Sequence, residues 1–135
     1  MSAWKGEFNK QHSPCLEFVI VGKNGNEFTF NGIIDTGFTG FIQIPLNDAG
    51  PMGLANGQGH FTKSTIANGS KQLVWLIENI VRVQDEKVSG LCHIPLTKNN
   101  SPVLIGVDFL RRFNRVLLVS KKGILLVKEE NLKLD

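Results

Sequence analysis

The sequence predicts an all-β fold, and three observations predict it. Apolar residues fall in many short runs. Turn signals of the Asn-Gly and Lys-Gly kind recur between those runs. No stretch has the length or period of a long helix. With 135 residues the chain suits one domain, large enough for a real core. The reading divides it into an arm over 1–14, a folded domain over 15–128 and a charged tail over 129–135.

In order, the arm is irregular, with a short strand near Trp4–Phe8. Leu16 to Val21 and Glu27 to Ile34 alternate as strands, and Asn24-Gly25 between them is a hairpin signal. Asp35-Thr36-Gly37 breaks the run, Phe41 to Ile44 resumes it, and Pro45 stops it. Residues 46–56 read as a short helix or an irregular loop. A strand over 61–66, a turn Ala67-Asn68-Gly69-Ser70 and a strand from Lys71 to Ile77 make a second hairpin. Ile80 to Gln84 and Gly90 to Ile94 continue the β pattern around an exposed Asp85-Glu86-Lys87 loop. A loop over 97–102 leads to a short apolar strand, Val103 to Ile105, ending at Gly106. Asp108 to Phe113 allows about one and a half helical turns, with Asp108 near the positive end of the dipole. Val116 to Val119 and Ile124 to Val127 form the last hairpin. Strands this short and numerous give a barrel-like domain rather than a βαβ protein.

The formal charge is +3, a weak excess. Basic residues are scattered among acids, without the basic and aromatic stripe of a nucleic-acid binder. No apolar run approaches the ~20 residues of a membrane span, and the polar N-terminus has no signal-peptide core. Cys15 and Cys92 match neither a metal site nor a disulfide framework, and read as two buried free thiols in a reducing compartment. The expectation is a cytoplasmic protein that binds no membrane and no nucleic acid. His12, His60 and His93 stand alone, and Cys92 and His93, adjacent on a strand, point to opposite faces.

The segment that carries chemistry runs from Phe30 to Gly40. An apolar strand delivers Asp35 into a glycine-rich loop, where backbone N–H groups can approach the carboxylate and favour its ionised form. A hydroxyl of Thr36 or Thr39 can stiffen the loop. One carboxylate cannot both activate water and protonate an amide. Two aspartates about 3 Å apart can, because they share a proton. The motif occurs once here, so if such a pair exists a two-fold homodimer must supply it.

Ile34-Asp35-Thr36-Gly37-Phe38-Thr39-Gly40-Phe41 and Val103-Leu104-Ile105-Gly106-Val107-Asp108-Phe109-Leu110 together resemble the two signatures of the retroviral-type, retropepsin-like aspartic proteases, and more closely those of their bacterial relatives. The similarity covers roughly residues 16–127. It implies a closed barrel with one short helix near the C-terminus, and a homodimeric endopeptidase acting on polypeptide without a metal or other cofactor. Asp35 would be the catalytic acid or base. Thr36 would grip the partner's loop, and Gly37 would line the cleft. The hairpin 62–76, tipped by Ala67, Asn68, Gly69 and Ser70, would be the flap over the substrate. Gly106 would pack behind the catalytic loop, and Asp108 would be structural.

The chain departs from the viral pattern at Phe38, where those enzymes usually carry Ala. Its bulk would narrow the cleft or pack at the dimer seam. The flap tip is less glycine-rich, and the charged ending from Lys128 implies a dimer built differently from the viral one. The alternative is a non-catalytic peptide-binding or dimerisation domain of the same fold, with Asp35 a turn residue as the blandest case.

Overall fold

The computed structural model describes residues 3–22, 24–53, 59–65, 69–96 and 101–132. The strands are β1 (Trp4–Phe8), β2 (Pro14–Val21), β3 (Glu27–Ile34), β4 (Ile42–Gln43), β5 (His60–Thr65), β6 (Lys71–Val83), β7 (Glu86–Pro95), β8 (Leu104–Ile105), β9 (Arg115–Ser120) and β10 (Gly123–Lys128). Among the described residues there are also two short helices, α1 (Leu46–Ala49) and α2 (Val107–Arg112), and a 3-10 turn at Glu129–Asn131.

Local signals explain the hairpins. Between β2 and β3, Gly25 takes a φ of +78°, and the Gly22 N–H donates to the Asn26 carbonyl at 2.7 Å. Glycine adopts that left-handed conformation without a Cβ clash. Leu16, Phe18 and Ile20 point inward while Glu17 points out, the two-residue period of a half-buried strand. The sequence breaks the next hairpin's second arm at Glu78-Asn79, whereas β6 is one strand with unbroken register to β7, from Val74↔Pro95 to Val83↔Glu86. Glu86, expected in an exposed loop, lies within β7 and pairs with the buried Arg115.

The expectation of an all-β closed barrel with one helix is corrected here. The strands form one mixed sheet, ordered β5-β6-β7-β4-β8-β3-β2-β1-β10-β9, with β5 and β9 as its two ends. A further pairing of β2 with β6 folds the sheet back on itself, yet the two end strands do not pair with each other. Two pairings are parallel, β3 with β8 and β4 with β7. Parallel neighbours need crossovers, which a pattern of successive hairpins does not announce. The extra helix, α1, starts after Pro45 and buries Ala49.

The core joins both ends of the chain. Phe109 of α2 lies 5.6 Å from Phe41 and 6.0 Å from Phe18, centroid to centroid. It also meets Phe113 at 4.7 Å, and Phe113 meets Trp4 edge-on at 5.0 Å. Arg115 stacks over the Trp4 ring at 3.9 Å, a cation–π contact. β1 itself pairs with β10 through Trp4↔Leu126 to Gly6↔Ile124, then with β2 through Glu7↔Cys15 and Phe8↔Pro14. At the changeover a Cβ on Gly6 would strike the Cys15 carbonyl at 2.5 Å, so only glycine fits.

Candidate active site

Asp35 follows directly on β3, whose last residue, Ile34, is buried. The strand ends because the backbone turns: the Phe38 N–H donates to the Asp35 carbonyl at 3.1 Å. Within the turn the Gly37 N–H donates to Asp35 Oδ1 at 2.9 Å. Asp35 is half-buried, and Thr36 and Gly37 are exposed, so the turn presents its carboxylate at the surface.

The second signature clasps the turn from behind. The Ile33 N–H donates to the Val103 carbonyl and the Asp35 N–H to the Ile105 carbonyl, both at 2.9 Å. In return Gly106 donates to Phe41 at 3.0 Å, Val107 to Phe38 at 2.9 Å and Asp108 to Gly40 at 3.1 Å. Each such bond stabilises by about 1 kcal/mol net, and together they fix the turn against the start of α2. Gly106 is obligatory: a Cβ there would lie 2.7 Å from the Phe38 carbonyl oxygen. Asp108 pairs with Arg112 at 2.6 Å within α2, and Arg112 also donates to the Ser89 carbonyl at 3.1 Å.

Phe38 does neither of the things its bulk suggested. It points into its own chain at 3% exposure, edge-to-face against His93 with centroids 5.3 Å apart. Sequence reading left His93 unassigned. Its alternation with Cys92 and Ile94 does put it on the face away from the core, but nothing local names Phe38 as its partner. Cys92 is fully buried on the core face, and burial pushes its thiol up to about 12 against a lowering hydrogen bond from Asn79. Both cysteines are free.

The expected flap corresponds to the antiparallel β5–β6 hairpin, paired from His60↔Leu76 to Thr65↔Lys71. Of its tip, Gly69, with a φ of +87°, and Ser70 are described. Ala67 and Asn68 lie outside the described residues. Phe61 and Trp75 meet across the hairpin with tilted rings, centroids 4.4 Å apart. Two clefts, of about 500 Å³ beside Leu118, Ile124 and Leu125 and about 250 Å³ beside Glu86, Phe113 and Asn114, do not include Asp35. Among the described residues no three His, Cys, Asp or Glu side chains gather as a metal site, and no helix is long and apolar enough to cross a membrane.

No protein-family profile and no curated protein matches this sequence. Solved structures do match in shape. A retropepsin-like aspartic protease from Rickettsia conorii superposes with a TM-score of 0.69 at 16% identity, over 93% of this chain and 89% of that one. The EIAV protease in complex with the inhibitor HBY-793 gives a TM-score of 0.57 at 13% identity, over 83% of this chain and 98% of that one. The chain therefore has a fold similar to that of the retropepsin-like aspartic proteases, bacterial and retroviral.

Proposed function

We propose that this protein is an aspartic endopeptidase that works as a homodimer, with water activated between the Asp35 carboxylates of two copies. The observation that carries this reading is Asp35 itself. It is a half-exposed carboxylate on a turn clasped from behind by the second signature, in a fold similar to that of retropepsin-like proteases. Among the described residues its carboxylate is bonded by the Gly37 N–H.

Two such groups brought within about 3 Å hold one proton between them. The ionised member takes a proton from water, which attacks the scissile carbonyl. The protonated member stabilises the resulting oxyanion, and the amide nitrogen is protonated as it leaves. No covalent intermediate and no cofactor is required. In this reading Thr36 grips the facing loop and Gly37 lies along the substrate backbone. The hairpin tip at Ala67, Asn68, Gly69 and Ser70 closes over an extended polypeptide bound as an added strand. The two buried free thiols support a reducing, cytoplasmic setting.

The test is Asp35→Asn, which keeps shape and removes the base. Peptide hydrolysis is expected to fall by roughly 10²–10⁴-fold while far-UV circular dichroism stays unchanged. Undiminished cleavage by this variant would refute the assignment. Peptide binding without cleavage by the wild-type dimer would instead favour a non-catalytic recognition domain.

A further inference from the structure

Behind the Asp35 turn stands a polar side chain with no assigned task. His93 lies on β7, where its carbonyl accepts the Ile44 N–H at 2.9 Å. Its strand neighbours are Gln43 on β4 and Leu76 on β6. The imidazole meets Phe38 edge-to-face, and a Cβ on Gly40 would come within 3.0 Å of Nε2. Nδ1 is buried and has no hydrogen-bond partner among the described residues. Phe38 passes this contact on, since its N–H bonds to the Asp35 carbonyl and its carbonyl to the Val107 N–H.

We infer that His93 is a positioning residue for the Asp35 loop: its uncharged ring, wedged against Phe38 and Gly40, holds the loop in register, and a proton on that ring loosens it. The inference deepens the reading of Asp35 as the reacting group and rests on it. A neutral ring packs in this setting because an unpartnered nitrogen costs less than an unpartnered cation. Burial accordingly lowers the basicity of His93, while Asp108 opposes the shift. Asp108 is itself tied to Arg112. The adjacent Gln43 and Leu76 carry no charge, and Asp35 is the titratable group of the loop.

The sign follows from the lowered value. Below the ordinary histidine value of 6.5 the unfolded or loosened chain binds the proton first. The contact is therefore fully present above 6.5, and its contribution is lost as pH falls from there through the folded value.

The experiment is NMR on the full chain from about pH 7.5 to about pH 4.5, following the His93 ring and hydrogen exchange at the Phe38 amide, corrected for its intrinsic rate. It is repeated in Asp35→Asn so that the loop's own carboxyl does not contribute. Protection at Phe38 is expected to fall in step with His93 protonation, and His93→Gln, which cannot take the proton, to lose that acid response. Protection indifferent to His93 protonation overturns the inference. Should His93→Gln not fold, the wild-type titration still decides, because the two midpoints either coincide or differ. Cleavage is assayed in parallel. A loop that follows His93 without any cleavage supports the positioning and removes the protease reading. Cleavage whose acid limb is the same in His93→Gln removes the positioning.

Discussion

At the scale of single residues, Asp35 after β3 and Cys92 on β7 are opposites. Asp35 is delivered to the surface with a backbone donor beside it, whereas Cys92 is sealed in the core. With its thiol held up at about 12, Cys92 stays protonated at neutral pH and lacks the thiolate that reacts. Iodoacetamide should leave it unmodified in the native protein and label it after denaturation, read by intact mass. Rapid native labelling would contradict the burial. The linkage has a definite sign. As pH rises above 9.0, the thiol's ordinary value, the unfolded chain ionises first, so stability falls through that window toward about 12. The turn at Asp35 was legible in sequence because strand, acid and glycines are contiguous. The contact of His93 was not, since it is made with Phe38 on a distant loop.

At the scale of elements, β1 contributes more than its length suggests. Its Trp4 is 1% exposed, packed on Phe113 and beneath Arg115. Arg115 in turn reaches Glu86 on β7. Trp4→Ala should cost about 3–5 kcal/mol, seen as a lower urea midpoint with little change in slope. A cost near zero would mean that the strand is an appendage, as the arm over 1–14 suggests. The hairpins β2–β3 and β9–β10 were readable from their Asn-Gly and Lys-Gly turns, because turn chemistry is local. β4 and β8 were harder to place. Each has two residues, and each owes its position to parallel partners brought in from elsewhere. The continuity of β6 through Glu78-Asn79 was hidden for the same reason, since register with β7 overrides the polar pair.

At the scale of the whole molecule, the proposed chemistry depends on a second copy. Size measurement over a concentration series should give a monomer–dimer equilibrium, with hydrolysis rising in proportion to the dimer. A strict monomer that still cleaves would exclude a paired Asp35 site. The fold class was legible as β-rich from short runs and frequent turns. The mixed character of the sheet was not, because which strands become neighbours is set by pairings that span the chain.

One of those pairings bears on the order of folding. β1 and β10 are far apart in sequence, yet Trp4 pairs with Leu126. Closing a loop of that span is slow compared with forming the local hairpins. The β1–β10 pairing is therefore expected to form after the β2–β3 and β9–β10 hairpins, and the shielding of Trp4 with it.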